Sequence, residues 1–525
     1  MLLSALLAFM AGLAQAGALA DPWTRTPHGW LQIVSLAVLA GLLLRPSTTW
    51  RRGFVLAWLF GWAWLAGTFW WLFISMHRYG GLNAALAVLA VLALAGALAL
   101  FYGTAGALFA GLAKRGAPYA PLRNATLFTA LWTLAELVRG QWLTGFPWGA
   151  GGYAHVNGGL AGYAPWVGVY GIGCVTAWIA AGLASLLVSG MRGARGQFLS
   201  VIIVTAVLWV GLPYGLSLAV RWGVPDARVA ADPHLTVALL QGNIPQDEKF
   251  VPGVGIEQAL NWYGEQFQRG TAALVIAPET AIPLLPHQLP PDYWAALRAR
   301  FGQGDQALLT GMPQGRLATG YTNSVIGLAP GQALPYRYDK HHLVPFGEFI
   351  PPLFKWFVRM MHIPLGDFNR GPLTQPSFTW QGERFAPTIC YEDLFGEEIA
   401  ARFSDPAAAP TALVNVSNLG WFGDTVALDQ HLAISRMRAL EFARPVLRAT
   451  NTGATAIIDA QGRVVQALPY ATRGVLTGRI AGQTRITPYA WWAARYKLWP
   501  LWAVCLVIVA AGLVTRRSAT RQAWS

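Results

Sequence analysis

The 525-residue chain is 54% hydrophobic and only 12% charged, with a mean hydropathy of +0.40; soluble domains carry about 25% charged residues, so an ordinary soluble globular protein is excluded and a bilayer is indicated. A net charge of +14 would point a soluble chain toward nucleic acid, but here the basic residues cluster in short connections between apolar runs, which reads as membrane topology with anionic lipid as a secondary partner. No zinc spacing, P-loop or internal repeat is present, and His341-His342 have no third ligand candidate nearby.

Residues 1–20 form an apolar run ending Ala18-Leu19-Ala20, similar to a signal-peptide cleavage site; without a basic segment ahead of it, the run is read as an uncleaved first span. Further runs cover about 30–45, 54–75, 83–112, 122–138, 166–190 and 198–220, with a last one at about 499–515. Most approach the roughly 20 residues that an apolar helix needs to cross a bilayer; the second is short and the fourth is long enough to tilt. Arg45, Arg51 and Arg52, then Lys114, Arg115 and Arg123, then Arg192 and Arg195, and finally Arg516, Arg517 and Arg521 occupy alternate connections and the tail, whereas the others hold little beyond Arg25, Arg78 and Arg139. The positive-inside rule therefore places both termini in the cytoplasm. The expected organisation is a polytopic membrane domain of seven transmembrane helices over 1–221, an extracytoplasmic α/β domain over 222–490, periplasmic in a bacterium, and an eighth transmembrane helix with a cytoplasmic tail over 491–525. Trp70-Trp71 and Trp491-Trp492 fit interfacial belts.

The segment beyond 222 has a different grammar. Leu235 to Leu240, Ala272 to Ala277, Ala307 to Thr310, Ser324 to Leu328, Phe385 to Ile389, Thr411 to Val416 and Ala454 to Ile458 are strand-length apolar runs punctuated by Gly, Pro, Asn and Asp. Helical patterns at about 256–268, 291–301 and 425–443 lie between them, and such alternation indicates an α/β layer domain.

Three of these runs end on chemistry. Leu274 to Ala277 leads to Glu279; Tyr336 to Asp339 leads to Lys340, with Glu348 in the Pro/Gly-bearing loop beyond; Phe385 to Ile389 ends at Cys390, followed by Tyr391 and Glu392. Taken by itself, Cys390 reads as a small core residue, and Glu279 with Lys340 as an ordinary ion pair. Together, a carboxylate, an amine and a thiol on separate strand ends suit acyl transfer: Glu279 takes the thiol proton, desolvation raising its pKa toward the working range, and Lys340 favours the thiolate and the oxyanion.

The order Glu, Lys, Cys resembles the nitrilase superfamily, and with seven apolar runs before and one after, the whole chain resembles the apolipoprotein N-acyltransferases, its membrane-embedded branch; the run Lys340 to Pro351 is the most specific piece. The resemblance implies a four-layer αββα sandwich with Glu279, Lys340 and Cys390 catalytic and Glu348, Tyr391 and Glu392 supporting them. It further implies a phospholipid donor, typically phosphatidylethanolamine giving its sn-1 chain, a thioester acyl-enzyme, and the α-amine of a diacylglyceryl-modified N-terminal Cys of an apolipoprotein as acceptor. Two lipid substrates sharing one site in turn give ping-pong kinetics, with no metal or organic cofactor required. Candidate substrate contacts are Phe346 in the Lys340 loop, Asn418 and Trp421 in Asn415 to Gly423, and Arg139 and Trp148 in a loop similar to the family's outer loop. Phe250 is another, standing where the family's Trp is expected, without its N–H. Pro351 to Met361, amphipathic with Lys355 and Arg359, reads as a lid or arm on the membrane surface. A membrane-tethered amidase using water is a second reading. A transporter is a third, disfavoured because ionisable residues within the runs are sparse, Glu136 being the clearest.

Overall fold

The computed structural model describes residues 1–113, 120–189, 203–216, 235–316, 319–350 and 368–522. The expected arm at Pro351 to Met361 lies outside them. The chain divides into two units: residues 1–70, 85–223 and 496–525 form the first, and residues 71–84 and 224–495 the second.

In the first unit, helix occupies described residues in all eight expected apolar runs, from Leu2–Leu19 through Gly29–Leu44, Trp50–Phe69, Ala84–Leu112, Ala120–Gln141 and Ala164–Ser189 to Trp499–Gln522. Among the described residues three helical stretches, Leu2–Leu19, Ala84–Leu112 and Gly159–Val188, are long and apolar enough to cross a membrane, or up to five if each of two bent pairs is one span. Where lipid gives no hydrophobic drive between helices, small residues let the backbones approach. Gly53 and Gly106 do so here: a Cβ on either would collide with the other's carbonyl oxygen.

The second unit contains all fourteen strands among the described residues. Sheet one joins β1 (Leu235–Gln241), β2 (Leu274–Ile276), β3 (Ala307–Gly311), β6 (Ser324–Leu328), β7 (Tyr336–Asp339) and β14 (Gly474–Ile480); β4 (Gln314–Arg316) and β5 (Gly320–Thr322) form a separate hairpin. Sheet two joins β8 (Phe378–Trp380), β9 (Glu383–Ile389), β10 (Ala412–Ser417), β11 (Val446–Thr450), β12 (Ala456–Ile458) and β13 (Val464–Ala467). The period-two alternation of strands sends Leu235, Val237, Leu239 and Leu309 inward, to meet Phe385, Ile389, Val414 and Leu447 of the other sheet in one core. The opposite face carries Leu240, Val275 and Leu308 against helices Gly255–Arg269 and Pro291–Gly302. On sheet two, Ala386, Leu413 and Val446 pack against helices Val426–Phe442 and Pro488–Tyr496. Four layers, helix, sheet, sheet and helix, result, with strands apolar on both faces.

Two departures from the expected organisation have plain causes. Helix Pro488–Tyr496 belongs to the α/β layer because Tyr489, Ala490 and Ala493 are in its core, so the second boundary falls at 495–496 rather than 490–491. The other is the short segment 71–84, expected among the membrane helices. Trp71 is buried, donates its indole N–H to Gln430 Oε1 at 3.1 Å and packs on Phe422, with ring centroids 4.4 Å apart. It is not an interfacial anchor; its neighbour Trp70 is 45% exposed.

On helix Val426–Phe442, Arg438 and Glu441 are fully buried and paired at 3.0 Å, one turn apart. Removing one partner of such a pair strands the other charge. Arg438→Met is expected to destabilise the chain by about 3–5 kcal/mol, read as a lowered denaturant midpoint, with less loss in the double variant Arg438→Met, Glu441→Leu.

Candidate active site

The chemistry-bearing residues collect at the carboxyl ends of the parallel strands, where open α/β sheets present their sites. β1 runs parallel to β2, and β2 to β3; β9 runs parallel to β10, and β10 to β11. Glu279 therefore follows β2, Cys390 follows β9 and Asn418 follows β10. Gly311 at the end of β3 makes this possible on its side, since a Cβ there would strike Pro278 O and the Glu279 backbone. Lys340 arrives differently, at the end of β7. The antiparallel register pairs Ser324 with Asp339, so the next residues outward, Asn323 and Lys340, stand opposite each other, and Lys340 N donates to Asn323 O at 2.8 Å.

Two carboxylates bracket one ammonium. Lys340 Nζ donates to Glu348 Oε1 at 2.9 Å and lies 3.6 Å from Glu279 Oε1. Asn323 Nδ2 bridges the same two acids, donating to Glu279 Oε1 at 2.7 Å and Glu348 Oε1 at 2.8 Å. The outer oxygens are held by main-chain donors: Asn418 N to Glu279 Oε2 and Val344 N to Glu348 Oε2, both at 2.9 Å. All four side chains are buried. Burial by itself pushes the Lys340 amine down, but Glu348 and then Glu279 hold it above the ordinary lysine range, so it stays charged.

Cys390 begins a tight turn, Cys390–Leu394, at φ +51, a left-handed backbone that non-glycine residues adopt only when their surroundings compel it. The compulsion is visible on both sides. Glu392 accepts from Ile389 N at 2.7 Å, from His341 N at 2.6 Å and from the Tyr338 hydroxyl at 2.9 Å, tying the Cys390 turn to the Lys340 loop. Beneath, Arg448 Nη1 donates to His431 Nδ1 at 2.6 Å, which leaves the proton on Nε2 to be donated to the Cys390 carbonyl at 3.2 Å. Burial, then the neighbouring Arg448, pushes the His431 pKa well down, consistent with a neutral ring.

Burial and then the Glu279 charge push the Cys390 thiol up to about 12, while Lys340 and the Asn418 N–H pull the other way. The resting sulfur is thus a thiol, and a reaction must take its proton away as it attacks. The Asn418 N–H touches both Glu279 and Cys390 and marks the meeting point of acid and sulfur.

The structure thus gathers Glu279, Lys340, Glu348, Cys390 and Glu392 at one end of the sheets. Tyr391 packs its ring against His342 and Phe395, at 5.6 and 5.3 Å between centroids. Asn418 meets the site through its main chain, and its side chain hydrogen-bonds Gln246 Oε1 at 2.7 Å and Asn451 at 3.2 Å. The ring of Trp421 stands edge-on to Tyr79 at 5.7 Å and its carbonyl accepts from Ser75, both in the segment 71–84. Phe346 sits at φ +64 in the Lys340 loop, and Phe250 is 47% exposed. Arg139 and Trp148 are buried in the first unit. There Arg139 donates to the carbonyls of Phe146 and Trp148 at 2.6 and 2.7 Å and to the Tyr102 hydroxyl, contacts that organise the loop. Sequence reasoning missed Asn323, taken as a mere strand entry, and Lys249, whose buried Nζ donates to Glu279 O at 3.0 Å.

Comparison with known proteins finds relatives over most of the chain. Residues 11–182 match the model of the apolipoprotein N-acyltransferase N-terminal domain, and residues 236–489 that of the carbon-nitrogen hydrolases. A Verminephrobacter eiseniae protein called apolipoprotein N-acyltransferase is 55% identical over 94% of this chain and 92% of its own. Proteins of the same name from Ralstonia nicotianae and Pseudomonas putida are 45% and 37% identical, over 93% and 98% of this chain and 90% and 97% of theirs.

Proposed function

The chain belongs to the apolipoprotein N-acyltransferase family, and we propose that it moves a fatty acyl chain from a phospholipid to the α-amino group of the diacylglyceryl-modified N-terminal Cys of apolipoproteins, through a thioester on Cys390. Glu279 accepts the thiol proton as sulfur attacks the donor's ester carbonyl. Lys340 and the Asn418 N–H face the negative charge, which passes from sulfur to the carbonyl oxygen. Collapse breaks the ester C–O bond, and the departing lysophospholipid oxygen takes the proton from Glu279. The acceptor amine then gives a proton to Glu279 and attacks the thioester, the C–S bond breaks, and the departing sulfur takes that proton from Glu279 to restore the thiol, a ping-pong sequence. Glu348 holds Lys340 in place throughout.

The observation that carries this reading is the thiol held at an N–H which also binds a carboxylate, beside a buried ammonium. The apolar helices and the alternating loop charges support a multi-pass protein of the bacterial inner membrane, with eight spans, both termini cytoplasmic and the α/β unit periplasmic, where a lipid donor reaches Cys390 from the bilayer.

Intact-mass measurement tests it. The protein incubated with phosphatidylethanolamine is expected to gain one fatty acyl chain, to lose it on addition of a diacylated lipopeptide, and to gain nothing as Cys390→Ala. Discharge by water at the same rate as by lipopeptide would make the protein an amidase-type hydrolase instead.

A further inference from the structure

Lys249 lies in the loop after β1, one residue ahead of the exposed Phe250-Val251. Its side chain is 1% exposed, its Nζ donates to the Glu279 main-chain oxygen at 3.0 Å, and its charge faces Glu279 and Cys390. A buried ammonium is costly unless negative charge opposes it. Lys340 alone already bridges Glu279 and Glu348, so a second buried ammonium changes the charge sum of the site.

Around Glu279 the count is short: Glu279 and Glu348 are two negative charges, Lys340 and Lys249 two positive, and with the thiol protonated these groups together are neutral. Moving the Cys390 proton to Glu279 leaves them neutral. Without Lys249 the same set carries one net negative charge in a space shielded from water, and every further step that places charge on sulfur or on the carbonyl oxygen is opposed.

We propose that Lys249 is a positioning residue for the nucleophile: it fixes the main chain at Glu279 and balances the second carboxylate of the Glu279–Glu348 pair as the Cys390 thiolate forms. The inference rests on the reading of Glu279, Lys340 and Cys390 as an acyl-transfer site. Burial holds the Lys249 amine down, to about 8, against the upward pull of Glu279 and Cys390. The charged and titratable groups facing it are those two, with Lys340 and Glu348 beyond Glu279. Lys249 is charged below that value and neutral above it, so acylation falls as pH rises through it.

The test uses the full chain in detergent and two acyl donors, phosphatidylethanolamine and p-nitrophenyl butyrate, with Cys390 acylation followed by mass and by the p-nitrophenolate burst. In the unmodified protein the rate is expected to have a descending limb near pH 8. Lys249→Gln is expected to acylate about 10–100-fold more slowly at neutral pH with no such limb. Lys249→Arg, which stays charged, keeps the neutral-pH rate within about tenfold and also lacks the limb. A limb that persists in Lys249→Gln, as it would if Lys249 merely anchored the loop, overturns the proposal, as does Lys249→Gln acylating within about twofold of the parent. Should Lys249→Gln not fold, persistence of the limb in Lys249→Arg overturns it equally. A burst with the ester but no adduct from phospholipid would instead refute the lipid-transfer reading, leaving the limb to decide the role of Lys249.

Discussion

Lys340→Ala is expected to abolish acylation of Cys390 and to destabilise the protein by about 3–5 kcal/mol. Both effects follow from what Lys340 Nζ holds apart. Glu348 Oε1 at 2.9 Å and Glu279 Oε1 at 3.6 Å have, besides it, Asn323 between them. Removing the ammonium leaves two buried carboxylates facing each other, and a shared proton then becomes the cheaper state. A carboxyl whose folded pKa is raised binds more protons folded than unfolded, so the variant is most stable at low pH and loses stability as pH rises past the ordinary Glu range. The parent has the same sign but outside the working range: the raised Lys340 contributes fully below the ordinary lysine pKa and is lost only in strong alkali. Denaturant midpoints of both proteins at about pH 5 and 8 check this; the gap between them should widen with pH. A constant gap would show that Glu279 and Glu348 are not coupled through Lys340.

Glu279→Gln is expected to fold and to acylate about 10²–10⁴-fold more slowly, the usual contribution of a general base. The amide oxygen can still accept from the Asn418 N–H, as Oε2 does at 2.9 Å. It cannot take a proton from a thiol that burial has pushed up to about 12. Single-turnover acylation measured by intact mass separates the two functions: the amount of adduct at long times should match the parent while the rate collapses. An unaltered rate would remove Glu279 from the proton path and leave Lys340 and the main-chain donors to account for the chemistry.

Much of this site was legible before any coordinates. Glu279 and Cys390 could be read because each ends a continuous apolar run, and parallel strands buried on both faces announce themselves in that way. Lys340 was legible as the residue after Tyr336 to Asp339. Asn323 was not, because its importance comes from the register of one hairpin, Ser324 against Asp339, which no single run encodes. Lys249 lay hidden for a similar reason: a lysine in a polar loop is ordinarily solvated, and only the carbonyl of Glu279, thirty residues on, makes it otherwise. The burial of Arg139 was not legible, because a polar group in a loop between apolar helices looks like a surface feature, whereas here the loop's own carbonyls draw the guanidinium inward. Within the apolar run at 54–75 the burial of Trp71 was not legible, since hydropathy does not distinguish a ring bound for lipid from one bound for Phe422.

Trp71 and Gln430 are separated by 359 positions. At the usual pace of synthesis the ribosome delivers the second roughly tens of seconds after the first. A nascent tryptophan and its neighbours must therefore wait, beside newly inserted helices, for a partner not yet made. The α/β layers consequently cannot be completed as an uninterrupted piece of translation, and a gene fragment beginning after residue 223 would encode every described strand yet lack the strip that clothes Phe422.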